Sequence, residues 1–268
     1  MQLKIYQIDA FTSTIFKGNS AAVIILDEWL AVDTMQLIAI ENNLSETAFA
    51  KKCDDLSYEI RWFSPITEID FCGHATLATA FVLFEENILL KEVSFLAKAV
   101  GSLKVSKLND GYIEMIFPNR KPQKVDNIPK ELKKGLSIEP KDVLVNQQTY
   151  FVVYPNEEDV YNVQVNLDEI KKLAPLDVTI TAKSKEYDFI TRYFWPANGG
   201  IEDPVTGSMH TGAAPLWAER LNKNDLIAYQ ASKRGGVLLC KVEGSSVTIF
   251  GKAVKYLEGY ITIGDKNE

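Results

Sequence analysis

The segment RWFSPITEIDFCGHATLATAF, residues 61–81, returns in altered form as RYFWPANGGIEDPVTGSMHTGAAP, residues 192–215. Each copy starts with arginine in an extended aromatic run, closes that run with proline, crosses a short acidic loop and reaches a glycine that opens a helix. Gly73 lies 12 residues after Arg61 and Gly207 lies 15 after Arg192, so one loop insertion separates two versions of one unit. A repeat of this kind decides the fold, because it divides the chain into two similar halves.

The flanks repeat as well. In the first half Asp33 is placed to cap a helix whose apolar Met35, Ile38 and Ala39 share a face. A strand near 45–50 and the alternating Tyr58-Glu59-Ile60-Arg61-Trp62 precede a helix over 74–86. Strands at 92–97, 102–108 and 112–117 follow, the last two joined through Asn109-Asp110-Gly111. In the second half the same order comes from a helix near 167–174, strands at 176–182 and 187–195, a helix over 208–221 and strands at 236–243 and 246–251. The polar stretch NRKPQKVDNIPK, 119–130, has two prolines and no hydrophobic period, and reads as a linker. The expected architecture is α+β, with halves at 1–118 and 119–268 and a small-molecule cleft between them.

Composition narrows the function classes. At 268 residues, 46% hydrophobic and 24% charged, the chain is ordinary for a globular protein and too apolar for a disordered one. A net charge of −7 argues against nucleic acid or an anionic membrane as partner. No apolar run reaches the roughly 18 residues of a membrane span, and the opening MQLKIYQIDAF reads as a strand and not as a signal peptide. Cys53, Cys72 and Cys240 are too few and too scattered for a disulfide framework or a zinc cluster, which fits a reducing cytoplasm. No P-loop, dinucleotide fingerprint or metal cluster stands in the chain, so no cofactor or metal is expected.

A helix N-terminus offers unpaired N–H groups and about half a positive charge. Gly73-His74 and Gly207-Ser208 each open such an end, and two of them would hold the carboxylates of a small substrate. Both histidines of the chain, His74 and His210, fall in these segments; His74 stands at the mouth, and His210, further in, suits a structural role. Among the acids, Glu46 begins a strand between apolar Leu44 and Ala48-Phe49-Ala50, and Asp203 precedes Pro204 just ahead of the second helix. A solvated charge at a strand start and a turn residue are the ordinary roles of such acids, and spacing alone does not raise these two above the other acids of the chain.

Taken together, QIDAFTSTIFKGNSAAVIIL (7–26), NLSETAFA (43–50), the CGHATLA segment and IEDPVTGSMHTGAAPLWAERL (201–221) resemble the PhzF-like family of phenazine-biosynthesis proteins. The resemblance runs from near the N-terminus to about residue 251. It implies a diaminopimelate-epimerase-like fold of two pseudo-symmetric domains, each a curved mixed sheet wrapped around a central helix. It also implies a cofactor-free isomerase that moves a proton at carbon, acting on a small carboxylate-bearing substrate in the interdomain cleft, and a homodimer. By the family pattern Glu46 is the general acid/base, and His74 and Asp203 hold polar groups and relay protons. Ser208 with the Gly73 and Gly207 backbones forms the carboxylate-binding helix mouths, and Asn19 lines the cleft.

Departures from the family pattern point to a different substrate: Ser20 for proline, Met209 for a small residue at the second helix mouth, and Ala231 and Gly236 in place of a glycine-arginine pattern. Two rival functions share the fold. An amino-acid racemase or epimerase would pair Glu46 or Cys72 with Asp203, although the two-thiol arrangement of diaminopimelate epimerases lacks its second cysteine, Val205 and Thr206 standing there. A non-catalytic binding protein would keep the fold without turnover.

Overall fold

The computed structural model describes residues 1–54 and 56–264. Its elements run β1 (Gln2–Ala10), β2 (Asn19–Leu26), α1 (Val32–Asn42), β3 (Glu46–Lys52), β4 (Ser57–Phe63), β5 (Glu68–Ile69), α2 (Gly73–Glu86), β6 (Glu92–Ala97), β7 (Gly101–Lys107) and β8 (Ile113–Pro118). They continue with β9 (Gln123–Lys124), α3 (Lys130–Gly135), β10 (Asp142–Val145), β11 (Thr149–Val153), α4 (Glu157–Asn162), α5 (Leu167–Ile170), β12 (Asp177–Lys183), β13 (Phe189–Phe194) and β14 (Glu202–Asp203). The chain ends with α6 (Gly207–Leu221), β15 (Asp225–Gln230), β16 (Gly236–Glu243), β17 (Ser246–Gly251) and β18 (Ala253–Thr262).

Two compact units result. The first holds Met1–Ile116 and the segment from Phe250 onward; the second holds Phe117–Ile249. The sequence division kept 119–268 together, whereas β18 pairs antiparallel with β1 from Gln2↔Thr262 to Ala10↔Ala253 and so belongs with the first unit. The stretch 119–130 contains β9, which pairs with β10.

Strand pairing repeats between the units. In the first, β2 runs parallel to β3, β3 antiparallel to β4, and β4 both antiparallel to β5 and parallel to β6, which pairs with β7. In the second, β11, β12, β13, β14, β15 and β16 make the same five pairings in the same senses. The arginines of the sequence repeat are part of this pattern. Arg61 forms a two-pronged pair with Glu68 across β4 and β5, at 2.7 Å and 2.7 Å, over the Phe63 ring. Arg192 does the same with Glu202 across β13 and β14, at 2.7 Å and 3.0 Å, over Phe194. Each fork holds shut the hairpin that leads into a glycine-opened helix.

Those helices are buried on nearly every side, as a helix apolar all round must be. Gly73 to Ala80 of α2 are all buried against β1, β2 and β3. In α6, Met209 to Ala218 are buried in the same way. Opposite α2, Met35, Ile38 and Ala39 of α1 pack on Ala22, Ile24 and Phe49. In the second unit α3, α4 and α5 supply Leu132, Val160 and Ile170 to a cluster with Val152, Ile180 and Ile190.

Two local expectations change. Helix α1 begins after Ala31 without a side-chain cap, and Asp33 sits inside its first turn, where its charge favours the helix dipole. The helix expected near 167–174 is the short α5, capped by the Asn166 side chain, followed by a 3₁₀ turn over Lys171–Leu173. Among the described residues no helix is long and apolar enough to cross a membrane.

Candidate active site

Helix α1 stops at Asn43, whose left-handed backbone (φ 48°) turns the chain straight into β3. Glu46, the first residue of β3, therefore lies level with Ala21 of the neighbouring β2, one strand position from Ser20 and two from Asn19. The start of α2 delivers Cys72 and His74 to the same place. Glu46 Oε2 is 3.0 Å from His74 Nε2, with both side chains at least nine-tenths buried. The approach is an ion-pair contact lacking the angles of a directed hydrogen bond, so Oε2 is a buried acceptor without a donor. His74 Nδ1 is 3.2 Å from Asn19 Nδ2, and Cys72 Sγ stands 3.4 Å from Nδ1 and 4.0 Å from Nε2. Asn19 is fully buried, and its Oδ1 accepts from the Ser45 hydroxyl at 3.2 Å.

Electrostatics follow from this crowding. Burial opposes charge on His74, but the adjacent Cys72 and Glu46 outweigh it and hold the imidazole well above its usual range. Cys72 is pushed up to about 11 by burial, with the Glu46 charge adding to the effect. The thiol is therefore protonated at neutral pH. Glu46, Cys72 and His74 each offer one ligand atom within a 4.8 Å group, the arrangement here that could hold a metal ion. A groove of about 860 Å³ among Trp29, Arg61, Glu68 and Lys98 shares none of these residues.

In the second unit, Thr206 stands before α6 as Cys72 stands before α2, each the extended residue that precedes the helix. Its hydroxyl donates to Asp203 Oδ2, and its backbone N–H donates to Gln230 Oε1 at 2.8 Å. The fully buried Gln230 also donates to the Asp203 carbonyl at 2.8 Å, so one side chain fixes both Asp203 and the helix start. Ser208 Oγ accepts from Gln148 Nε2 at 2.9 Å. The same amide lies 3.1 Å from the Tyr193 oxygen, whose proton goes to Asp177 at 2.5 Å. Met209, expected at the mouth, is buried.

The structure thus gathers Glu46, His74, Gly73 and Asn19 in the first unit, and Asp203, Gly207 and Ser208 in the second. Ser45, Gln148, Tyr193 and Gln230 escaped the sequence reading. Ser45, beside Glu46, and Tyr193, in the second copy of the repeat, lay in segments that drew attention; Gln148, just before β11, and Gln230, at the end of β15, are brought in by long-range pairing.

His210 is fully buried and structural. Its Nδ1–H donates to the Thr206 carbonyl at 2.8 Å, and desolvation lowers its pKa to about 4. The unfolded chain takes up this proton below about pH 6.5 and the folded one does not. Its contribution is therefore complete above that pH and is lost as pH falls towards 4, about 3 kcal/mol in all. Urea melts of the wild type and His210→Gln should diverge by this amount between neutral and acid pH, the variant showing the flatter profile.

Residues 8–259 match the family of phenazine biosynthesis-like proteins, PhzC-PhzF. A protein of Halalkalibacterium halodurans named an uncharacterized isomerase is 42% identical over 267 residues, covering 98% of this chain and all of the relative. A crystal structure of a PhzF-family phenazine biosynthesis protein from Enterococcus faecalis superposes with a TM-score of 0.93 at 40% identity, over 98% of this chain and 100% of that one. The fold extends to a hydroxyproline epimerase from Agrobacterium vitis, TM-score 0.62 at 8% identity, over 99% and 94% of the two chains. The chain belongs to the phenazine biosynthesis-like, or PhzF, family and has its two-unit epimerase-like fold.

Proposed function

We propose that the protein is a cofactor-independent isomerase that moves a proton at carbon in a small carboxylate-bearing metabolite, with Glu46 as the proton carrier. The observation that carries this reading is the buried Glu46 carboxylate, 3.0 Å from His74 and with Oε2 lacking a hydrogen-bond donor. A lone pair held out of water beside an imidazole is what general-base removal of a carbon-bound proton requires. His74, held by Asn19, steadies the carboxylate and serves the substrate's polar groups. The developing negative charge is met by the backbone N–H groups at the Gly73 end of α2, the helix start that also carries His74. The isomerase name of the Halalkalibacterium relative supports the reaction class.

A second reading, epimerisation with Cys72 as one base, draws on its 3.4 Å approach to His74 Nδ1. Its protonated thiol, and threonine at the corresponding Thr206, favour the first.

The test is a panel of small carboxylic acids and amino acids incubated with wild-type protein in D₂O and followed by proton NMR. Loss of one C–H signal with deuterium gained at a different position of the same carbon skeleton is the expected result. Exchange with inversion at one carbon would instead establish the epimerase.

A further inference from the structure

Cys72 is the group beside Glu46 and His74 that the proposed proton shift leaves without a task. Its Sγ lies 3.4 Å from Nδ1 and 4.0 Å from Nε2 of His74, and Glu46 Oε2 lies 3.0 Å from the same Nε2. Two ligands held about 2.0–2.3 Å from a tetrahedral zinc ion stand about 3.2–3.6 Å apart, and one ligand atom from each of the three side chains already lies within 4.8 Å of the other two. The donors are one sulfur, one nitrogen and one oxygen, a mixture that suits Zn²⁺ and not Mg²⁺ or Ca²⁺. Charge agrees too: one thiolate and one carboxylate neutralise a dication, so the loaded cluster carries no net charge into a buried site. Oε2 is already short of a donor. The Asn19 amide presents its nitrogen to Nδ1 at 3.2 Å; a metal held at Nε2 would put the ring proton on Nδ1, and turning the amide over would bring its oxygen to accept that proton.

We propose that Glu46, Cys72 and His74 form a capture site for a thiophilic divalent cation of the Zn²⁺ type, and that its occupancy silences the enzyme. On binding, the thiol proton and the Nε2 proton of the imidazolium leave to solvent, and thiolate, carboxylate and imidazole each donate one lone pair; nothing is oxidised or reduced. The silencing half rests on the reading of Glu46 as proton carrier, while the binding half stands without it.

The experiment is a Cd²⁺ titration of full-length protein carrying Cys53→Ser, which removes the exposed cysteine. Thiolate-to-cadmium absorption in the ultraviolet should saturate at one equivalent and be displaced by Zn²⁺. Adding Cys72→Ser should abolish it. Glu46→Gln and His74→Asn, which keep the thiol, should each weaken binding about 100-fold or more, since loss of outer-shell partners alone costs 10- to 100-fold. Circular dichroism verifies that each variant is folded. Absence of the band in the Cys53→Ser protein, or its survival in the Cys53→Ser, Cys72→Ser protein, overturns the site. No substrate is involved, so either result is independent of whether the proton shift is correct.

Discussion

Glu46→Gln is expected to lower kcat for the proton shift about 10²- to 10⁴-fold and to leave KM within a few-fold of wild type. Glutamine keeps the volume of the side chain and an oxygen facing His74, so the pocket built by Asn19, Ser45 and His74 should persist while the base is gone. The separation of kcat from KM is the informative part. A loss confined to KM would make Glu46 a binding group, and an equal loss of folding stability would make it a structural one. Steady-state kinetics on the compound found by NMR, with a denaturant melt of each protein, distinguishes the three.

The largest stability effect is expected at Gly18, the residue immediately before the buried Asn19-Ser20 pair that opens β2. Its backbone is left-handed, φ 64°, and a Cβ placed there would meet the Ala10 carbonyl oxygen at 2.0 Å. A carbonyl in a paired strand cannot step aside as a flexible side chain can. Gly18→Ala should cost about 3–5 kcal/mol, the strained backbone adding to the overlap. Gly111, with φ 83° and open space around it, supplies the control: there alanine should cost only the conformational part, about 1–2 kcal/mol. Denaturant midpoints of the two variants should differ accordingly. Equal midpoints would show that the loop yields at Gly18. Because Asn19 follows directly and holds His74 Nδ1, Gly18→Ala should also disturb the site in whatever protein remains folded.

Much of this architecture was legible in one pair of segments. Arg61 and Arg192, each followed by proline and a helix-opening glycine, mark equivalent places because both guanidiniums fork onto a glutamate of the next short strand. The glycine-opened helices were legible for the same reason, since alanine- and threonine-rich helices with little polar surface have to lie in the centre of a sheet. Glu46 was visible as an acid in an apolar setting, but its 3.0 Å approach to His74 depends on β2 and β3 pairing in one register. The roles of Gln148 and Gln230 could not be read. Each lies in or beside a strand, 60 and 24 residues from the helix-start group it meets, and a lone glutamine carries no pattern until pairing brings it there. The return of β18 to β1 escaped for a like reason: its alternation fits any sheet edge, and only the Gln2↔Thr262 register shows which one it joins.

The central claim is that Glu46 itself carries the proton, and transfer of label within a single turnover tests it most directly. Substrate deuterated at the reacting carbon, converted in ordinary water, should yield wild-type product that retains part of its deuterium at the new position, because one carboxyl group removes and returns it. Glu46→Gln should transfer none. Label transfer at the wild-type level in Glu46→Gln would contradict the account.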